Sequence, residues 1–134
     1  RCVFIDDYAH HPKEIEVLIN AIREFYPNRL VKGIFQPHLF SRTRDFMKEF
    51  ANSLSMLDEL FLLPIYPARE NPIDGVSSRV LYEKVNLDKK FLSKGGYDYC
   101  DQLLSTIPCV IVTIGAGDIN LHIEKINNLL LQDA

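Results

Sequence analysis

Short apolar runs that alternate with amphipathic segments constrain the fold of this chain most strongly. The runs are continuous and rich in β-branched and aromatic residues, as is typical of strands buried on both faces of a parallel sheet. They cover residues 3–5, 30–31 with 34–35, 60–63, 91–92 and 110–112. Between and after these runs lie segments for which we predict helices, mostly from the helical spacing of their apolar residues. These segments are 13–25, 46–57, 77–85, 98–104 and 119–130. The pattern predicts an α/β fold: a three-layer, Rossmann-like domain with a mainly parallel sheet and helices on both faces.

The bulk composition predicts one globular domain over residues 1–134. Its net charge of −3 offers no general attraction to nucleic acid or to an anionic membrane. No apolar run approaches the roughly 20 residues that span a bilayer. Three widely spaced cysteines form no disulfide framework, so we expect reduced, mostly buried thiols and a cytoplasmic location. Because a strand pattern begins almost at once, we also expect a fragment of a longer protein.

Two polar loops follow the first two predicted strands and carry the candidate chemistry. The first reads Asp-Asp-Tyr-Ala-His-His-Pro from Asp6 to Pro12, and the second extends from residue 35 to residue 45. Loops at the carboxyl ends of parallel strands meet at one edge of the sheet, where ligands bind. In the second loop we expect Arg42 and Arg44 to open a helix, whose free N–H groups and guanidinium groups form an anion site.

A glycine-containing turn, Gly115-Ala116-Gly117-Asp118, joins the last predicted strand to the last helix. It has only two glycines of a dinucleotide fingerprint, and tight turning into the helix is the simpler reason for them. Backbone N–H groups at Gly115 and Gly117 could nevertheless face a ligand. The sequence has no GxxxxGK[ST] motif, so it has no P-loop of its own.

Two other classes of protein use similar residues. A stand-alone metal-dependent hydrolase could use His10, His11 and His38 with the aspartates of the first loop. Adjacent histidines diverge, however, and the remaining ligand spacing is absent, so we assign no metal ligands. A phosphate-accepting receiver domain could use Asp6 and Asp7. It also needs an Asp after the third strand and a Lys after the fifth, where this chain has Leu63-Pro64 and Ile114-Gly115.

Taken in order, these motifs resemble the C-terminal domain of the Mur ligases. The resemblance extends from about Val3 to Ile119 and depends mainly on the first loop and on Phe-Gln-Pro-His with Ser-Arg-Thr-Arg-Asp in the second. Tyr-Pro-Ala at 66–68 with Glu70 and Pro72, and the Gly115–Asp118 turn, complete it. Many family members have Arg where this chain has Leu39, which leaves Arg42, assisted by Arg44, to bind the anion.

The resemblance implies a cytoplasmic, three-domain enzyme of bacterial peptidoglycan synthesis. Its partners would be UDP-N-acetylmuramate, L-alanine, ATP and the other two domains, which hold the UDP-sugar and most of the ATP and Mg²⁺ site. The ligase would join L-alanine to the lactoyl carboxylate through an acyl phosphate. A recycling ligase that adds a tripeptide is the alternative within the family. The isolated domain is expected to be inactive.

The resemblance also implies roles for individual residues. Arg42 would contact the substrate carboxylate or the developing oxyanion, and His10 is a candidate general base for the amine. The residues expected to bind substrate or nucleotide are Asp7, Tyr8, His38, Arg44, Gly115 and Gly117.

Overall fold

The computed structural model describes residues 2–133 and shows a five-stranded sheet in the order β1-β5-β2-β3-β4, in which every described pair is parallel. The strands are β1 (Cys2–Asp7), β2 (Leu30–Phe35), β3 (Glu59–Leu62), β4 (Lys90–Leu92) and β5 (Cys109–Ile114). Their central members are buried on both faces, as continuous apolar runs require. The predicted α/β class and parallel sheet are confirmed.

Helices cover both faces of the sheet and complete three layers. They are α1 (Pro12–Phe25), α2 (Phe40–Asp45), α3 (Met47–Leu54), α4 (Ser78–Lys84), α5 (Cys100–Leu103) and α6 (Ile123–Asp133), with a 3₁₀ turn at Asp118–His122. Apolar residues of α1, α3 and α4 form one core with the sheet, including Ile19, Leu54 and Leu81. Leu103 and Ile126, from α5 and α6, form the other core.

Local sequence explains where two of the helices begin. Pro12 occupies the first turn of α1, where its missing N–H costs no hydrogen bond. Ser77 caps α4, because its side chain accepts a hydrogen bond from the Val80 amide at 3.3 Å. Within residues 2–133, no helix combines the length and the apolar character needed to cross a membrane.

The structure corrects the sequence prediction for three helices and for the burial of Phe25. The second helix, expected to open at Arg42 and to continue along the 46–57 stripe, is instead two helices, α2 and α3, separated at Phe46, which is 37% exposed rather than buried. Phe25, expected on the buried stripe of α1, is 80% exposed at the helix end. The helix expected at 98–104 is shorter, and the last α-helix begins after the 3₁₀ turn rather than at Asp118.

The three cysteines are free thiols, with Cys2 in β1, Cys100 in α5 and Cys109 in β5. Cys109 is buried, whereas Cys2 and Cys100 are only partly buried. Cys2 and Cys109 lie opposite each other on β1 and β5, with 2.8 Å between their sulfur atoms. Burial raises the pKa of Cys109 to about 12, so its thiol is a poor nucleophile at neutral pH.

Candidate functional site

The carboxyl ends of the neighbouring parallel strands bring the predicted loops to one edge of the sheet. Asp7 and Phe35 both lie opposite Ile114, and Leu62 lies opposite Phe35. The loops after β1, β2, β3 and β5 therefore leave the sheet side by side. This juxtaposition confirms the prediction that the two polar loops share an edge.

Carboxylates at both ends hold the loop between β1 and α1. Asp7 Oδ1 accepts a hydrogen bond from the Ala9 amide at 2.9 Å. Glu14 Oε1 accepts from the amides of His10 and His11 at 3.0 and 3.1 Å. The His10 amide bond is the main reason why the pKa of Glu14 is lowered. A charged Glu14 thus fixes the backbone that carries His10.

Tyr8 and His10 project from this braced loop. The Tyr8 side chain is 71% exposed, so its phenol can contact a ligand without rearrangement. His10 Nδ1 lies 3.1 Å from the Tyr8 carbonyl oxygen and 3.5 Å from Glu14 Oε1. A backbone carbonyl acceptor favours a proton on Nδ1, which leaves Nε2 as the free basic atom.

Arg42 and His38 contact each other directly in the second loop. The Arg42 guanidinium lies 2.9 Å from His38 Nδ1 and donates to the His38 carbonyl at 3.3 Å. Burial, followed by the charges of Arg42 and His10, lowers the pKa of His38. The neutral ring can therefore accept the guanidinium N–H. Arg42 keeps further N–H groups, so this pair suits an anion such as a carboxylate.

The helix that carries Arg42 and Arg44 differs from its prediction. It begins at Phe40, two residues before Arg42. The Thr43 amide makes the first bond within the helix, to the Leu39 carbonyl at 3.2 Å, whereas the Ser41 amide donates to Glu70 Oε1 at 3.0 Å. The predicted start at Arg42 is therefore two residues late, and the Ser41 amide is not one of the free N–H groups that we expected.

The two arginines have different partners in the structure. Arg44 Nε lies 2.9 Å from Asp45 Oδ1, and the Arg44 side chain is 52% exposed. Arg42, in contrast, contacts His38 and is only partly exposed. Leu39 adopts a positive φ of 76° just before the helix.

The Gly115–Asp118 turn is tied to the loops on both sides. The Gly115 amide donates to the Asp7 carbonyl at 3.2 Å. Gln36 accepts from the Ile119 amide at 3.0 Å, and its amide nitrogen donates to Asp118 Oδ1. A Cβ on Gly117 would lie 2.5 Å from Gln36 Oε1 and 2.6 Å from the Tyr66 ring. Close packing therefore requires glycine at 117, and its neighbours occupy that side of the turn.

Among residues 2–133, no three His, Cys, Asp or Glu side chains converge well enough to hold a metal ion. His10 and His11 lie in one loop, whereas His38 faces Arg42 and stacks on Tyr66. The histidines thus offer no ligand set for the hydrolase alternative. A cavity of about 230 Å³ at the site edge is lined partly by Gln36, Tyr66 and Asp118.

Four residues without an assigned role in the sequence prediction prove to support the site. Glu14 holds the first loop, Gln36 holds the glycine turn, Tyr66 stacks on His38, and Glu70 holds Ser41. A signal existed for Gln36, because an amide directly after a buried strand needs polar partners. Tyr66 and Glu70 belong to the segment 66–72 that contributes to the family resemblance, but their partners, His38 and Ser41, lie far away in sequence.

Comparison with known proteins agrees with this arrangement. Residues 1–121 match the family described as Mur ligase, glutamate ligase domain. A UDP-N-acetylmuramate–L-alanine ligase of Christiangramia forsetii is 51% identical over 98% of this chain and 29% of its own length. The same-named protein of Flavobacterium psychrophilum is 53% identical over 96% and 28%. The chain thus spans less than a third of these relatives.

A solved structure supports the fold independently. It is the UDP-N-acetylmuramate–alanine ligase of Thermotoga maritima, with a TM-score of 0.77 at 22% identity. The match covers 99% of this chain and 27% of that protein. At this identity the likeness concerns the fold, and it agrees with the three-layer α/β arrangement.

Proposed function

Because the chain belongs to the Mur ligase family, we propose that it is the C-terminal domain of an ATP-dependent ligase that joins L-alanine to UDP-N-acetylmuramate. Two relatives that are about half identical carry the name of that enzyme. The full-length enzyme would contain two further domains, for the UDP-sugar and for ATP, and would act in cytoplasmic peptidoglycan synthesis. This domain would close over the other two and would be inactive alone.

The observation that carries the proposal is the Arg42–His38 pair at the sheet edge, beside the Tyr8–His10 loop. Joining a carboxylate to an amine through an acyl phosphate builds negative charge on the carboxyl oxygens. A guanidinium held in advance stabilises that charge without reorganising during the reaction. Since neutral His38 accepts one of its N–H groups, Arg42 is oriented and keeps other donors for the substrate.

The first loop is suited to the incoming amino acid. The exposed Tyr8 phenol and the imidazole of His10 lie on the same edge as Arg42, and Asp7 fixes the turn beneath them. We assign His10 Nε2 as the proton acceptor for the attacking amine. Closure of the domain would exclude water, which otherwise hydrolyses the acyl phosphate.

ATP with Mg²⁺ would supply the phosphoryl group that activates the carboxylate. The described residues lack a metal-holding cluster, and the sequence lacks a P-loop. We therefore place the nucleotide and Mg²⁺ mainly on the central domain. In this chain, Arg42, Tyr8 and the turn at Gly117 would contact only the reacting end of the bound substrates. The Gly115 amide is not available to them, because it donates to the Asp7 carbonyl.

Phosphate release by the full-length protein tests this proposal. We expect release that requires ATP, Mg²⁺, UDP-N-acetylmuramate and L-alanine together. Arg42→Ala should lower kcat/KM by about 100-fold or more, which is typical for loss of a charge-stabilising donor. Arg44→Ala is the matched control, and its loss should be at least about tenfold smaller because Arg44 pairs with Asp45. Equal losses would reject Arg42 as the anion-binding group.

The recycling ligase remains the second candidate within the family. It would show phosphate release with a tripeptide and none with L-alanine. The mass of the nucleotide product distinguishes the two, because the tripeptide adds far more mass than alanine does. The ligase names of the half-identical relatives favour alanine.

A further inference from the structure

The loop of residues 64–75, between β3 and α4, is joined by its backbone to the segment that precedes Arg42. The Tyr66 amide donates to the Pro37 carbonyl at 2.8 Å, and the Leu39 amide donates to the Tyr66 carbonyl at 2.8 Å. The two bonds form an isolated parallel bridge between His38 and Tyr66. Regular strand pairing between β2 and β3 has already ended here, so this bridge is a separate attachment of the loop to the site.

The side chain of Tyr66 extends this attachment to the imidazole. Its ring stacks on His38 with 5.6 Å between centroids and 15° between planes. Gly117 lies so close that a Cβ there would come within 2.6 Å of Tyr66 Cγ. The Tyr66 ring is therefore confined between the glycine turn and the His38 ring. His38 in turn contacts the Arg42 guanidinium through Nδ1.

Glu70 attaches the same loop to Ser41, the residue just before Arg42. Its carboxylate accepts hydrogen bonds from both the amide and the hydroxyl of Ser41. The hydroxyl bond, followed by the amide bond, lowers the pKa of Glu70 and so favours its carboxylate form.

We infer that Tyr66 and Glu70 are positioning residues that set the Arg42 guanidinium for the substrate carboxylate, Tyr66 through His38 and Glu70 through Ser41. The inference rests on the proposed function, in which Arg42 binds the anion. Neither residue needs to touch the substrate. A small displacement of a charge-stabilising group is enough to reduce turnover, because catalysis depends on distances of about 1 Å.

A double-mutant cycle in the full-length protein tests the route through Arg42. Tyr66→Leu should lower kcat/KM for L-alanine ligation about tenfold when Arg42 is present and less than about twofold in an Arg42→Ala background. Tyr66→Phe keeps the stacked ring and should restore most of the activity. Equal losses in the two backgrounds would overturn the inference, because a general structural role acts regardless of Arg42.

Glu70 gives a second, independent test should Tyr66→Leu fold poorly. Glu70→Ala should reduce kcat with the same dependence on Arg42, whereas Glu70→Gln retains an acceptor for Ser41 and should lose less. Asp74→Asn, an exposed change in the same loop, is the control. Losses that follow only the folded fraction, measured by thermal melting, would also overturn the inference. Wild-type protein without four-component phosphate release would instead reject the proposed function, and the inference with it.

Discussion

The Arg42 guanidinium and the His38 ring form one unit, with 2.9 Å between the Arg42 nitrogen and His38 Nδ1. The contact requires a neutral imidazole, since a protonated ring has no free acceptor at Nδ1. Burial and the Arg42 charge both lower the pKa of His38. Arg42 thus favours the neutral form of His38, and neutral His38 holds the Arg42 guanidinium in the orientation that the proposed chemistry needs.

We expect Arg42→Ala to raise the pKa of His38 toward its ordinary value of about 6.5, because one of the causes that lower it is removed. Arg44→Ala is the control, since Arg44 is not among the charges that act on His38. The His38 ring resonance, followed by NMR against pH, measures the shift. An unchanged titration in Arg42→Ala would contradict the contact.

The lowered pKa of His38 also predicts how stability depends on pH. The unfolded chain binds a proton at about pH 6.5, before the folded chain does, so folding loses stability as the pH falls through 6.5 toward the folded pKa. Denaturant unfolding between pH 7 and pH 5 should show this loss. His38→Gln, which cannot titrate, should show a smaller loss over the same range.

Glu14 should stabilise the domain through the first loop. Glu14→Ala removes the acceptor for the amides of His10 and His11 and should lower the free energy of unfolding by about 1 kcal/mol, as for other helix-capping groups. Glu14→Gln keeps an acceptor oxygen and should lose less. The lowered pKa of Glu14 means that this contribution is present above about pH 4.5 and disappears as the pH falls further. Equal effects of Ala and Gln in urea unfolding would contradict the role.

The strands were predictable because strands buried on both faces of a sheet need continuous apolar residues, and these runs are visible in the local sequence. Runs such as 60–63 and 110–112 are apolar on both faces, and the structure places both in the sheet interior. The shared edge followed from the parallel arrangement alone. Local pattern therefore accounts for the sheet and for the loops that carry Tyr8, His10 and Arg42.

The break between α2 and α3 was not predictable in the same way. Phe46 fits a helical stripe, but the segment before it is held by Glu70, which lies 29 residues after Ser41. Such a contact depends on tertiary structure and leaves no periodic signal. The same is true of Tyr66, whose ring partner His38 belongs to another loop. Sequence thus located the candidate site but not its supports.

Two glycine substitutions should separate stability from activity. A Cβ at Gly33, in the central strand β2, would come within 2.6 Å of the buried Leu57 side chain. Gly33→Ala should therefore destabilise the domain by about 1–3 kcal/mol while turnover per folded molecule changes little. Gly117→Ala would displace Tyr66 close to its backbone, so it should destabilise the domain as well and should also lower kcat/KM per folded molecule about tenfold. Melting curves give the folded fraction of both full-length variants, and kinetics give kcat/KM per folded molecule. A larger loss of kcat/KM in Gly33→Ala than in Gly117→Ala would contradict this expectation.

Lys32 is a fully buried cation in β2, and its removal should be costly. Its ammonium donates to the Leu103 carbonyl at 2.8 Å and lies 3.7 Å from the carboxylate of Glu59, which is also buried. Lys32→Met leaves Glu59 without its cation, so we expect a loss of about 3–5 kcal/mol in the free energy of unfolding.

The partner substitution provides the control for Lys32. Thr106 donates a hydrogen bond to Glu59, and a neutral glutamine at 59 can accept the same bond. Lys32→Met with Glu59→Gln should therefore recover more than half of the loss, because no unpaired charge remains buried. Denaturant unfolding of the single and double variants measures the coupling. If the two losses simply add, then Lys32 and Glu59 do not stabilise the sheet as a pair.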